Sequence, residues 1–401
     1  MSTLLQINAT CNWGSTGRIA EQIAILAEEH GWDCYIAHGA RYVRKSSIKT
    51  IPIGSIMGNT VHALISLLFG RHGLSSTSAT KEFIKTVYLI KPDIIHLHNI
   101  HGYYINYKIL FEYLKESKIP VVWTLHDCWS MTGQCTHYES VGCNKWQTSC
   151  EHCPLLGASY KTLVDRSRKN WTLKKSLFSS VENLTIVPVS YWLEDVVKKS
   201  FLQNSRTIVI HNGIDIGIFK PLKVSRIDLR LDSDRPVVLG VSSEWGEKKG
   251  LNDFIELSKN SEFQVVLIGV TEKQKAKLPR TITAIERTHN QEELVKYYST
   301  ADVFVNPTYE DSLPTVNIEA LACGTPVVTY RTGGSPEILD ENTGIIVEKG
   351  DVEGLIKAIE TIRENGKTAY SQACRDRAVR HFNKDNIFED YINLYNSLIT
   401  L

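Results

Sequence analysis

The chain has 401 residues, 42% of them hydrophobic and 22% charged, enough for two or three domains with sizeable cores. A formal net charge of +1 gives no overall electrostatic reason to bind nucleic acid. The opening MSTLLQINATCNWG lacks a basic region followed by a long apolar core, so a cytosolic protein without a signal peptide is expected.

In chain order, TLLQINA reads as a strand. GRIAEQIAILAEEHG then carries Ile19, Ile23, Leu26 and Ala27 at helical spacing and ends at Gly31. DCYIAHG is a second strand. The apolar-leaning residues 55–70 carry His62 and are shorter than a membrane span needs. KEFIKTVYLIKP is a helix stopped at Pro92, and NYKILFEYLKESKIP is a helix between the strands DIIHLHN and VVWTLHD. Repeated βαβ units imply a parallel sheet covered by helices.

After residues 207–215, IGIFKPLKV reads as a linker around Pro221. The pattern then restarts with RPVVLGVSS, LNDFIELSKN, FQVVLIG, QEELVKYYSTA, DVFVNPT, TVNIEALACG and TPVVTY. The economical reading is α/β, with two doubly wound domains, ligands beyond the carboxyl ends of the strands, and a site in the cleft between domains.

YEDSLPTVNIEALACGTPVV, residues 309–328, carries the most chemistry. DVFVNPT delivers the chain to the carboxyl edge of the second sheet. Pro314 suits a first helical turn, Gly324 a C-terminal stop, and Pro326 prevents continuation. The helix N-terminus offers N–H groups to a phosphate. Asp311 precedes the helix and Glu319 lies eight residues later, so hydroxyls on either side of a diphosphate could each meet a carboxylate. Alternatively, Asp311 caps the helix and Glu319 is solvated.

The spacing D-x7-E, the following ALACGTPVV and the downstream TGGSPEIL resemble the donor segment of family 4 glycosyltransferases with the GT-B fold. That family's usual pattern is E-x7-E, then a small-residue helix and a Gly-Thr-Pro-Val strand. The likeness extends over nearly the whole chain. It implies two Rossmann-like domains facing a cleft: residues 1–217 on the acceptor side, residues 218–380 holding the nucleotide sugar, and residues 381–401 as a helix returning to the first domain. By this resemblance Asp311 contacts the transferred sugar with the amides of Ser312, Leu313 and Thr315, and Glu319 holds the ribose hydroxyls. Glu310 is the alternative to Asp311, at x8 spacing. Asp311 is one methylene shorter than the family's residue, which bears on donor specificity.

GVSSEWGEKKG matches the family's diphosphate segment, usually an Arg followed by Lys-Gly. Lys249 fits the Lys and would neutralise leaving-group charge. Ser243 or Glu244 stands near the missing Arg, with Lys248 and Arg331 as possible substitutes; residues alone would also fit a solvated pair of lysines. In NWGSTGRIA, Gly14 and Gly17 make a tight βα turn that the resemblance places toward the donor phosphates, with Arg18 adding charge.

His96, His98, His101 and His126 stand at the ends of adjacent strands. The resemblance puts His126 beside the reacting sugar. His98, His101 and Tyr103 are candidates for acceptor contact, although Tyr103 and Tyr104 fit packing equally well.

Residues 128–154 hold five of the nine cysteines. Cys135, Cys143, Cys150 and Cys153, in the order C-x7-C-x6-C-x2-C, could close a structural zinc site; free buried thiols are the alternative. Similar inserts occur in the capsule and exopolysaccharide subgroup, of the colanic-acid type.

Together these readings imply a retaining hexosyltransferase of surface polysaccharide biosynthesis, using a UDP- or GDP-sugar. No catalytic metal is expected, since no D-x-D segment sits in a loop placed for a metal-bound donor. The acceptor is a saccharide, in such enzymes often lipid-linked. Residues 55–70, with Arg41, Lys45 and Lys49, could touch the inner face of the cytoplasmic membrane, or form an ordinary packed helix. The rivals are a nucleotide-sugar epimerase of the same architecture and a non-catalytic binding protein.

Overall fold

A computed structural model describes residues 1–232 and 234–400. The chain divides into two compact units: Met1–His211 with the segment from Phe388 onward, and Asn212–Ile387.

The first unit holds strands β1 (Thr3–Asn8), β2 (Asp33–Gly39), β3 (Lys49–Ile53), β4 (Ile94–Leu97), β5 (Val121–Leu125), β6 (Leu184–Pro188) and β7 (Arg206–Thr207). They form one parallel sheet in the order β3-β2-β1-β4-β5-β6-β7. Its helices are α1 (Gly14–Glu29), α2 (Ile56–Phe69), α3 (Thr77–Ile90), α4 (Tyr107–Ser117), α5 (Ser167–Phe178) and α6 (Tyr191–Lys198). Strands β4, β5 and β6 are buried along their whole length. That is why IIHL, VVWTL and LTIVP read as apolar runs and not as alternating patterns.

The second unit repeats the plan with β8 (Val237–Val241), β9 (Gln264–Ile268), β10 (Ile282–Ile285), β11 (Val303–Asn306), β12 (Val327–Tyr330) and β13 (Gly344–Val347). Their order is β10-β9-β8-β11-β12-β13, again all parallel. Helices α7 (Leu251–Leu257), α8 (Glu272–Lys275), α9 (Gln291–Thr300), α10 (Thr315–Ala322), α11 (Ser335–Ile338), α12 (Val352–Asn365) and α13 (Thr368–Phe382) complete it. Val238, Phe254, Val265, Leu267, Val328 and Leu355 are among the core residues between sheet and helices.

The last helix, α14 (Lys384–Ile399), joins the first unit from Phe388 onward. Polar contacts hold it there: Tyr395 Oη lies 2.6 Å from His96 Nδ1, and Tyr391 Oη 3.0 Å from Thr124 Oγ1. His96 lies inside β4 and not beyond its end, and it anchors this helix; its Nε2 meets Thr124 Oγ1 at 2.8 Å.

In each unit strand order reverses direction once, between β1 and β4 and between β8 and β11. Open parallel sheets bind ligands beyond the strands' carboxyl ends at such points, because the flanking loops diverge there.

Candidate active site

In the second unit, the loops after β8 and β11 meet at the switch point. The 3-10 turn Glu247–Lys249 follows β8 and ends at Gly250, φ +70°. A Cβ there would lie 2.3 Å from the Pro307 carbonyl oxygen, so Lys-Gly lets this turn close against the end of β11. Tyr309 N–H donates to the Lys248 carbonyl at 2.9 Å, tying the loops together.

The two lysines take different carboxylates. Lys249 Nζ donates to Asp311 Oδ2 at 2.7 Å and to the Glu310 carbonyl at 3.1 Å. Lys248 Nζ donates to Glu310 Oε2 at 2.6 Å. The Glu310 carboxylate is buried, whereas the Lys249–Asp311 pair keeps partial access to solvent. This geometry favours Asp311 over Glu310 as the group that can exchange partners with a ligand.

Helix α10 begins one residue after Pro314, which occupies the capping position with extended backbone, outside the first turn. Asp311 does not cap it. No side chain caps this end and no acidic residue sits in the first turn, so its positive dipole end is unneutralised by side chains. Gly324, φ +73°, ends the helix as the sequence implies. Ser312, Thr332 and Ser335, around the same end, have buried hydroxyl oxygens without a hydrogen-bond partner. Buried hydroxyls normally find one, so these three are open to a bound polar group or to water. The Ser312 carbonyl accepts from Gly334 N–H at 3.1 Å, and the Leu313 carbonyl from Asn212 Nδ2 at 3.2 Å. Glu319 stands further along α10, and Tyr298 Oη donates to its Oε2 at 2.9 Å.

Of the substitutes for the missing Arg, only Lys248 belongs to this cluster. Arg331 Nε is turned to Glu348 Oε1, 2.7 Å away.

In the first unit, β1 leads into α1, whose first residue is Gly14, φ +68°. A Cβ at Gly17 would lie 2.6 Å from Thr10 Oγ1, so Gly17 lets the helix approach the strand-end loop. Helix α1 also lacks a side-chain cap. Arg18 Nε donates back to the Gly14 carbonyl at 3.0 Å.

Beyond β4 and β5 a buried polar chain fixes His126. Gln6 Nε2 donates to the Ala20 carbonyl at 2.8 Å, which leaves Gln6 Oε1 to accept from His98 Nε2–H at 2.7 Å. His98 Nδ1 then carries the lone pair and accepts from His126 Nε2–H at 3.2 Å. His126 Nδ1 is left with a lone pair, as a hydrogen-bond acceptor or base. Burial, opposed by Asp127 and aided by His101, lowers the pKa of His126 to about 4. His98 is pushed well below the usual range by burial, His96 and His126. Both rings are neutral near pH 7.

His101 belongs to a neighbouring cluster. Its Nε2 lies 2.8 Å from Asp127 Oδ2, and Tyr160 Oη hydrogen-bonds its Nδ1. Burial raises the Asp127 pKa, but the charge and hydrogen bond of His101 outweigh this and bring it to about 2. Tyr160 stacks on His72 with ring centroids 3.5 Å apart, and Tyr103 contacts both rings edge-on. Gln6, Asp127 and Tyr160 were not singled out from sequence. Asp127 directly follows His126 in the quoted VVWTLHD, so a paired carboxylate was signalled there; Gln6 and Tyr160 come together with their partners only through the fold.

Residues 20–217 match the family model described as Glycosyltransferase Family 4, and residues 235–365 that described as Glycosyl transferases group 1. WcaC of Escherichia coli (strain K12), named for colanic acid biosynthesis glycosyl transfer, is 24% identical over 77% of each chain. Among solved structures, sucrose-phosphate synthase from Thermosynechococcus elongatus superposes with TM-score 0.76 at 20% identity, covering 100% of both chains. Anabaena HepE in complex with UDP-glucose gives TM-score 0.65 at 16% identity, over 99% of this chain and 100% of that one. These two share the GT-B fold expected from the sequence, with its pair of parallel-sheet Rossmann-like domains. The chain is a glycosyltransferase of the hexosyltransferase type, its first unit matching family 4 and its second the group 1 transferases.

Proposed function

We propose that the protein is a retaining transferase that moves a sugar from a nucleoside diphosphate to a saccharide in surface polysaccharide biosynthesis. The observation that carries this reading is the uncapped end of α10 with the Lys249–Asp311 pair and three unpartnered hydroxyls around it. A diphosphate at the helix end takes up the N–H groups and draws the Lys249 ammonium from Asp311. Asp311 is then released to accept hydrogen bonds from the sugar, and Glu319 accepts the ribose hydroxyls. As the sugar–phosphate bond breaks, charge grows on the phosphate oxygen, and Lys249 with the helix dipole stabilises it. No bound metal is needed for that neutralisation. His126 Nδ1 receives a sugar hydroxyl, and the acceptor's proton passes to the departing phosphate. His98, His101 and Tyr103 serve the acceptor side. WcaC and HepE, by their names and bound ligands, support a polysaccharide context and a UDP-sugar donor.

The acceptor is lipid-linked in this reading, and α2 brings the enzyme to the membrane. No helix among the described residues is long and apolar enough to cross one. Helix α2 is built inside out: Asn59, His62 and Ser66 are buried, whereas Ile56, Met57, Val61, Leu64 and Leu68 are exposed. An apolar face with Arg41 beside it, donating to Thr60 Oγ1 at 2.7 Å, suits an anionic lipid surface.

The test is release of nucleoside diphosphate from a panel of UDP- and GDP-sugars, with and without bacterial lipid extract, in magnesium-free buffer. Acceptor-dependent release from one donor, with the anomeric configuration kept in the product, is expected. Interconversion of the donor sugar without an acceptor would replace this reading by epimerisation.

A further inference from the structure

Between β5 and α5 the described residues have little regular structure beyond two 3-10 turns, Glu139–Val141 and Lys145–Gln147. Its backbone hydrogen bonds are nearly all local turns, which leave it weakly tied to the rest of the unit. Yet Cys135, Cys143, Cys150 and Cys153 all line one pocket here, walled by Tyr138 and Trp146. None of them is in a disulfide.

Two further features point to a metal. The first is the bonding of the sulfurs. Gly133 N–H donates to Cys150 Sγ at 3.2 Å; burial pushes this thiol up to about 11, and that hydrogen bond acts against the rise. Backbone N–H groups aimed at sulfur stabilise thiolate more than thiol, as in the outer shell of thiolate metal centres.

The second feature is Lys174. It is 1% exposed, yet among the described residues it has no ion pair. Its Nζ donates to the carbonyls of Trp129 at 2.6 Å and Thr132 at 3.0 Å, and lies 3.4 Å from the Trp129 ring centroid. A buried ammonium held only by carbonyls and a ring is costly unless an anion compensates it. Burial pushes its pKa well below the ordinary lysine value, and the neighbouring Cys150 and Cys135, ahead of Asp127, act against that fall. As neutral thiols they compensate nothing. Four thiolates around a divalent ion carry a net charge of minus two, which Lys174 would offset by one.

We propose that Cys135, Cys143, Cys150 and Cys153 bind a zinc ion as four thiolates, with Lys174 as its buried counter-charge. Binding displaces four thiol protons to solvent and forms four Zn–S bonds of about 2.3 Å. Among the described residues no three His, Cys, Asp or Glu groups already stand where they would hold an ion. The ion would therefore draw the four sulfurs inward from the pocket wall. The site is structural: it staples the segment that begins just after Asp127, and so sets the position of Trp129 and, through Thr136 and Ser159, the approach to Tyr160.

The test uses the full chain purified without chelator or metal-affinity resin. Elemental analysis should find one zinc per chain, released by a mercurial thiol reagent. Reloading with cobalt should give the intense absorption of tetrahedral tetrathiolate cobalt, which reads the ligand set without any variant. Cys143→Ser, at the more exposed side of the pocket, should lose the ion or weaken that spectrum. Lys174→Met should lower zinc affinity by about 10- to 100-fold with all four sulfurs intact. A folded protein free of zinc that gives no thiolate–cobalt bands would overturn the proposal. So would a disulfide among these cysteines in protein kept under reductant. Neither result depends on glycosyl transfer.

Discussion

Lys249 Nζ lies 2.7 Å from Asp311 Oδ2, while the adjacent lysine, Lys248, is paired with the buried Glu310. One lysine thus holds a carboxylate that can reach solvent, and the other secures the loop. The two should respond differently to truncation. Lys249→Ala should lower kcat by about 10²–10³, the usual loss for one group that stabilises developing charge. Lys248→Ala should leave a buried carboxylate without its ammonium and show mainly as a lower Tm. Steady-state rates and thermal melts of both variants check this; equal losses of kcat would refute the division.

The buried histidines predict acid sensitivity. Burial lowers His62 and His126 to about 4 and pushes His72, His96 and His98 well below the ordinary 6.5. The unfolded chain binds protons in this window and the folded chain does not. Stability is therefore full above about pH 6.5 and falls as pH drops toward 4, by up to about 1.4 kcal/mol per pH unit for each histidine. Chemical denaturation across this range should show the decline, and His126→Gln should make it shallower.

The chain from Ala20 through Gln6 and His98 fixes the tautomer of His126. Long-range proton–nitrogen correlation spectra of the histidine rings should show Nε2 of His126 protonated and Nδ1 bare. Gln6→Leu removes the partner that orients His98. It should lower kcat/KM for the acceptor between about tenfold and 10², with nucleotide affinity unchanged, as misorientation of a positioned group does. A protonated Nδ1 in the wild type would contradict the chain of donors.

Helix α2 should govern membrane association. Burying an exposed apolar side chain contributes about 1.5–3 kcal/mol, so Met57→Asp with Leu64→Asp should cut binding to anionic vesicles by more than about tenfold. Nucleotide affinity should not change. Wild-type protein that fails to sediment with such vesicles would refute a membrane role for α2.

Much of this was legible in the sequence because it rests on local rules. Strand–helix alternation, Gly324 at a helix end and Lys-Gly before α7 follow from periodicity and backbone chemistry. The D-x7-E spacing carried the family and, with it, the GT-B fold. What stayed hidden depends on pairing across the sheet. Gln6 sits 92 positions from His98 and meets it only because β1 and β4 are neighbours. His96 looked like its neighbour His98, yet the fold gives it to Tyr395, 299 positions away. The inside-out pattern of α2 was missed for another reason: periodicity reveals an apolar stripe but not which side of it faces the core.

The most direct test is calorimetric titration of UDP, GDP, ADP and TDP into the wild type and Glu319→Ala in magnesium-free buffer. One nucleotide should bind selectively, and truncating Glu319 should weaken it by about 10- to 100-fold, as expected for hydrogen bonds to a charged group. Wild-type protein that is folded yet binds none of the four would contradict a nucleotide-sugar site at the end of α10.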